Sequence, residues 1–124
     1  MSVAHWVYLS IAGENRLARY EMDAESGDLR HDGDVETSGS PGPLATNAEQ
    51  TLLYAGLRSS REIATYAIDQ ASGGLSLLGT ATLDADPCYI ALDNTDRYLL
   101  SSYYGAGKVT VHAVGGNGAL EQAL

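Results

Sequence analysis

The sequence has no phenylalanine, one cysteine, one tryptophan, three prolines and only 7 basic residues against 16 acidic ones. Each shortage excludes something. A single cysteine, Cys88, permits no internal disulfide and suits a reducing compartment. A net charge of −9 offers no basic patch to displace counterions from a polyanion. That excludes non-specific nucleic-acid binding and attraction to an anionic membrane surface. No charged-then-apolar leader opens the chain and no apolar run reaches about 18 residues, so a soluble, cytoplasmic protein is expected. With phenylalanine absent, the aromatic set is eight tyrosines and one tryptophan, residues that favour strands. Hydrophobic content of 44% is that of a chain that folds.

What is present is a repeat. Tyr8, Leu17, Tyr20, Met22, Asp23, Ser26, Gly27 and Leu29 return as Tyr54, Ile63, Tyr66, Ile68, Asp69, Ser72, Gly73 and Leu75, always 46 residues on. Pro41, Ala45 and Leu53 return as Pro87, Ala91 and Leu99. A third copy runs through Leu100, Val109, His112 and Val114, then slips by one residue at Leu120. A period of this length marks stacked units that cannot bury their apolar faces alone.

Within a unit the apolar period is near 2. Ile63, Thr65 and Ala67 fall on one side, Ala64, Tyr66 and Ile68 on the other. The second unit reads as four strands, a to d, at Leu44–Thr46, Leu52–Gly56, Ile63–Ile68 and Leu75–Thr82, with turns over 47–51 and 70–74. The third reads as Tyr89–Leu92, Tyr98–Ser102, Val109–Val114 and a last strand from Leu120. The first begins at its b strand, near Trp6–Ile11, without an a strand. Four short antiparallel strands per unit predict an all-β chain of β-propeller blades rather than a sandwich of tandem hairpins. The expected blades are 6–40, 41–86 and 87–124, about 2.7 units in all. In such a meander the b–c loops (12–16, 57–62, 103–108) share one face with the d–a loops (36–43, 84–88). That face is the expected place for a ligand.

Most chemical motifs dissolve on inspection. Gly105-Ala-Gly107-Lys108 lacks the first glycine and the Ser/Thr of a phosphate loop and opens no helix. Ser38-Gly-Ser-Pro-Gly42 misses the first glycine of a nucleophile elbow. Asp93-Asn-Thr-Asp96 lacks the glycine and distal Glu of a calcium loop. His5, His31 and His112 have no metal-ligand spacing, and His112 takes the slot of Tyr20 and Tyr66, so it reads as a packed strand residue. Cys88 reads as a buried, inert thiol. No metal or cofactor is expected. What remains is the b–c loop set: Arg58 and Arg61 in one loop, Tyr103, Tyr104 and Lys108 in the next. The arginines have the fork that clamps a phosphate or carboxylate, and Arg or Lys can stabilise an oxyanion. The alternative is surface arginines among acidic groups. Arg58, Tyr103 and Tyr104 are the substrate-binding candidates; no catalytic base is assigned.

Leu53-Tyr-Ala-Gly-Leu-Arg58, Ile63-Ala-Thr-Tyr-Ala-Ile68, Gly73-Gly-Leu75, Pro87-Cys-Tyr-Ile-Ala-Leu-Asp93, Arg97-Tyr-Leu-Leu100 and Ser102-Tyr-Tyr-Gly-Ala-Gly-Lys-Val-Thr-Val111 resemble the seven-bladed lactonase propellers. The likeness runs from about Val7 to Val114 and lies in the N-terminal part of the bacterial 6-phosphogluconolactonases of that family. It implies metal-free hydrolysis of 6-phosphogluconolactone to 6-phosphogluconate in the pentose phosphate pathway, by water attack on the lactone carbonyl. It also places Arg58 and the Tyr103–Tyr104 loop toward the central cleft. Seven blades need about 320 residues, and the family's functional His, Arg and Glu positions in later blades are absent. An N-terminal fragment is therefore expected, incomplete as a catalyst, with open blade edges able to pair with another chain. The competing functions are a non-catalytic propeller scaffold and a carboxymuconate-type lactone enzyme of the same fold.

Overall fold

The computed structural model describes residues 5–124, which form three antiparallel sheets. The first holds β1 (His5–Ile11), β2 (Arg16–Met22) and β3 (Leu29–Glu36). The second holds β4 (Pro41–Thr46), β5 (Leu52–Leu57), β6 (Glu62–Ile68) and β7 (Leu75–Thr82). The third holds β8 (Tyr89–Leu92), β9 (Tyr98–Tyr103), β10 (Lys108–Val114) and β11 (Leu120–Ala123). In each sheet the strands follow chain order, the meander of a propeller blade. Among the described residues no strand pairs with the second edge of β1.

One boundary differs from the sequence reading. β4 starts at Pro41, not Leu44, and the d–a loop shrinks accordingly. Pro41 pairs with Leu57 across an irregularity that ends at Leu44. Pro41 and Pro43 bring no N–H to the ladder, so the segment looks like loop in sequence yet runs as the edge strand of its sheet. The slip at Leu120 also has a cause. The turns after β2 and β6 close with Asp23 N–H on Asp28 O and Asp69 N–H on Gly74 O. The turn after β10 closes one residue sooner, with Gly115 N–H on Ala119 O.

The turns repeat in backbone as well as in sequence. Asn15, Arg61 and Gly107 carry φ of 50°, 54° and 65° in successive b–c turns. Gly27, Gly73 and Gly118 carry 78°, 72° and 95° in successive c–d turns. These left-handed positions let a short loop reverse a strand without clash.

Two apolar layers bind the sheets side by side. Leu17 of the first sheet packs with Leu53, Ala55, Leu57, Ala64 and Tyr66 of the second. Tyr54 and Ile63 of the second pack with Ile90, Leu99 and Tyr103 of the third. Each sheet therefore has a leading face, turned to the sheet before it, and a trailing face, turned to the sheet after it. Full burial of each Leu or Ile contributes roughly 1.5–3 kcal/mol.

Each junction repeats the same polar and steric lock. Tyr8 Oη donates to Gly73 O at 2.6 Å, and Tyr54 Oη donates to Gly118 O at 2.7 Å. Trp6 covers Gly73 so closely that a Cβ there would lie 2.4 Å from its ring; Leu52 covers Gly118 at 2.7 Å. Trp6 and Leu52 are 46 residues apart, as are Tyr8 and Tyr54. His112 lies fully buried, its Nδ1–H donating to Glu121 O at 2.8 Å.

Candidate functional site

The b–c and d–a loops meet on one face. Arg58 N–H donates to Ser40 O at 2.8 Å and Leu83 N–H to Arg61 O at 2.8 Å. Ser40 N–H donates to Ser59 Oγ at 2.8 Å, and Ser38 Oγ to Glu62 at 2.9 Å. The opposite face carries the other turns, where Asp96 accepts Ala48 N–H at 2.9 Å across the second junction.

Arg58 stands one residue beyond β5, exposed, where the chain leaves the sheet and enters its turn. Its aliphatic stem runs over Gly42, where a Cβ would lie 3.2 Å from Arg58 Cδ. Its Nη2 reaches Cys88 Sγ at 4.0 Å. The other cations on this face are occupied: Arg61 pairs with Asp86 at 3.1 Å, Arg16 with Glu14 at 2.8 Å, and Lys108 with Asp84. The hydrogen bond from Lys108 holds the Asp84 carboxyl below its usual range. Among the described residues Arg58 is thus the cation of this face without a carboxylate partner.

Tyr104 occupies the same slot as Arg58, 46 residues later, and its side chain is 91% exposed. Its N–H donates to Cys88 Sγ at 3.3 Å. Arg58 and Tyr104 therefore converge on one sulfur from adjacent sheets. Tyr103 does not join them. Its ring is buried in the second junction and its hydroxyl lies 2.7 Å from Thr110 Oγ1. Strand alternation explains this: Leu99, Ser101 and Tyr103 share the leading face of β9, and all three are buried. An open groove of about 420 Å³ runs beside this cluster, bordered by Cys88, Tyr104, Gly107 and Lys108, and Tyr103 forms part of its wall.

The expectation of a buried thiol at Cys88 is corrected: the residue is half-buried, with Tyr104 N–H and Arg58 Nη2 both directed at its sulfur. The sequence carried a signal for it. Cys88 lies 46 residues after Gly42, the residue that seats Arg58. Among the described residues no three His, Cys, Asp or Glu side chains gather closely enough to hold a metal ion.

The model of the lactonase family, a seven-bladed β-propeller, matches residues 7–124. The chain belongs to the seven-bladed lactonase propellers. The 6-phosphogluconolactonase of Bacillus subtilis is 30% identical over 115 residues, which is 90% of this chain and 33% of that protein. That of Cronobacter sakazakii is 35% identical over 77 residues, 62% of this chain and 23% of that protein. A candidate 6-phosphogluconolactonase from Bacteroides fragilis superposes with a TM-score of 0.84 at 25% identity, over 98% of this chain and 35% of that one. The periplasmic gluconolactonase of Pseudomonas aeruginosa shares the fold at a TM-score of 0.84 and 23% identity, over 99% of this chain and 38% of that one. The chain spans about a third of the length of the curated relatives it matches, in their N-terminal part.

Proposed function

We propose that this chain forms the first blades of a lactonase that hydrolyses 6-phosphogluconolactone to 6-phosphogluconate. The observation that carries the reading is the likeness to the Bacillus subtilis 6-phosphogluconolactonase over 90% of the chain. In the reaction, water adds to the lactone carbonyl, the ring C–O bond breaks, and the released alkoxide takes up a proton. The substrate brings a phosphate, and the transition state brings an oxyanion. Arg58 supports the reading because its guanidinium is exposed and holds no carboxylate, so it can bind either anion through paired N–H donors. Tyr104 offers an exposed ring and hydroxyl at the neighbouring position. The catalytic base belongs to blades beyond this chain in the same proposal. A cytoplasmic setting, within sugar-phosphate metabolism, is part of it; the substrate is phosphorylated, and the chain has a single cysteine.

The test grafts residues 7–124 onto the remaining blades of the Bacillus subtilis relative and assays hydrolysis of the phosphorylated lactone. Activity is expected, and Arg58→Ala should lower kcat/KM about 10–100-fold. A rise in KM alone would assign Arg58 to the phosphate; a fall in kcat alone would assign it to the oxyanion. A folded chimaera inactive on phosphorylated and muconate-type lactones alike would replace the proposal with a non-catalytic scaffold.

A further inference from the structure

Arg58 reaches the loop face over a seat that the preceding sheet helps to hold. Its Cγ and Cδ lie over Gly42, where an added Cβ would stand 3.5 and 3.2 Å from them. Gly42 sits between Pro41 and Pro43, and the register of β4 with β5 skips from Pro41 to Leu44. Two prolines bring no N–H, so this stretch offers its own sheet few donors. Ser10, in β1 of the first sheet, fastens it from outside: its Oγ donates to Gly42 O at 2.8 Å. Two residues before Gly42, Ser40 is tied as well. Its Oγ lies 3.4 Å from Asn15 Oδ1, and its carbonyl accepts Arg58 N–H at 2.8 Å.

The repeat does not require this hydroxyl. The residue 46 positions after Ser10 is Gly56, where a Cβ would lie 2.7 Å from Pro43 Cγ and 3.2 Å from Pro87 Cγ, so no side chain fits. The residue 46 positions after Gly42 is Cys88. There the N–H donates to Ser102 O of its own sheet at 2.9 Å, and the sulfur accepts Tyr104 N–H. The third sheet thus fastens its rim residue by contacts of its own, whereas the second borrows a hydroxyl from the first. Ser10 and Gly42 go with Arg58; Gly56 and Cys88 go with Tyr104. The hydroxyl is confined to the junction whose rim carries a cation without a carboxylate partner among the described residues.

We propose that Ser10 is a positioning residue: through Gly42 its hydroxyl sets where the Arg58 guanidinium stands, and so how Arg58 meets the anionic group of the substrate. The inference rests on the lactonase reading, in which Arg58 binds the phosphate or the oxyanion. Paired N–H donors grip an anion only in the right plane, and a displacement of about 1 Å can cost on the order of 100-fold in rate. A long arginine side chain also loses rotamer freedom when it is held. A fixed seat under its stem takes part of that loss at folding rather than at binding. The chain reports the position itself, because Arg58 Nη2 lies 4.0 Å from the sulfur of the single cysteine, Cys88.

The test alkylates Cys88 in the 124-residue chain with iodoacetate, an anion, and with iodoacetamide, its neutral amide. The ratio of the two rates reads the charge beside the sulfur and cancels changes in access. Arg58→Ala should lower the ratio about 3–5-fold, the effect of one nearby charge in water. Ser10→Ala should lower it about 2–3-fold, Ser10→Thr should keep it, and Ser10→Ala should add nothing in an Arg58→Ala chain. In the chimaera, Ser10→Ala should lower kcat/KM about 3–10-fold, again with no added loss beside Arg58→Ala. An inactive chimaera with the expected alkylation ratios would support the seat while removing the lactonase reading. A wild-type ratio in Arg58→Ala would show that the guanidinium does not stand over Cys88 and would overturn the proposal. So would a wild-type ratio in Ser10→Ala, or an equal loss with and without Arg58. If Ser10→Ala does not fold by circular dichroism, Ser10→Val replaces it, equally without a hydroxyl and better suited to a strand. Failure of both to fold would overturn the proposal, because the hydroxyl would then serve the fold rather than Arg58.

Discussion

Replacing Tyr54 by phenylalanine should reveal how a single hydroxyl holds two blades together, and the effect should depend on pH. Tyr54 is fully buried, and its hydroxyl donates at 2.7 Å to Gly118 O in the next sheet. Removing the hydroxyl forfeits that bond and leaves a buried carbonyl unpaired, which destabilises by about 1–2 kcal/mol near neutral pH. Burial, aided by the negative charge of Asp96, raises the Tyr54 pKa to about 12, against an ordinary value near 10. The neutral phenol is thus the form the fold prefers. Its contribution is complete below pH 10 and fades as pH rises from 10 through 12, by roughly 2.7 kcal/mol in total. Tyr54→Phe lacks this loss, so the two stability curves should cross near pH 11. Urea unfolding followed by circular dichroism from pH 8 to pH 11.5 measures both. A variant as stable as wild type at pH 8, or a difference that stays constant to pH 11.5, would refute the reasoning.

Other outcomes follow from the same geometry. Gly73→Ala should destabilise by about 3 kcal/mol in urea melts, since the methyl meets Trp6 and the backbone is left-handed; Gly27→Ala, with the same backbone and open space, should lose only about 1 kcal/mol. Asp69 accepts the N–H groups of Ala71 and Ser72, which hold its pKa low. Its stabilisation should be complete at neutral pH and vanish as pH falls through its folded pKa; Asp69→Ala should be less stable than wild type at pH 7 and converge with it in acid. Gly42→Ala should push aside the stem of Arg58 and lower lactonase activity of the chimaera without lowering its melting temperature by more than a few degrees. Loss of fold with loss of activity would show that Gly42 serves packing instead.

The strands were legible because they alternate and because the repeat aligns three readings of each. Ile63–Ile68 could be checked against Leu17–Met22 and Val109–Val114, and β6, β2 and β10 cover those segments. Pro41–Pro43 was not legible as strand, since two prolines remove the donors by which a strand is recognised. Of the site, Arg58 and Tyr104 were legible as loop residues, but their convergence on Cys88 was not. That meeting joins two sheets, and periodicity within one chain segment says nothing about how far a loop leans toward its neighbour. Tyr103 shows the same limit. Adjacent tyrosines look alike in sequence, and only the pleat turns one into the junction and the next into solvent.

Under the proposed function, the b–c hairpin is where one repeat would serve recognition as well as stacking. Its left-handed position is filled by Asn15, Arg61 and Gly107, different side chains in one backbone shape. Its first residue is Ala12, Arg58 and Tyr104 in turn, with no common chemistry. Positions that do persist include Tyr8 with Tyr54, whose hydroxyls bond the next sheet, and Gly27 with Gly73, which keep one left-handed turn. A residue that must fit a neighbouring blade is constrained once per junction. In the proposed lactonase, a residue on the hairpin rim faces the substrate, which differs around the ring. Variation at the Ala12–Arg58–Tyr104 slot fits the proposal that these positions address an asymmetric ligand from a symmetric frame. Exchanging the two side chains, Arg58→Tyr with Tyr104→Arg, should accordingly leave the chimaera folded and impair its lactonase activity. Full activity would mean that neither position distinguishes one side of the cleft from another.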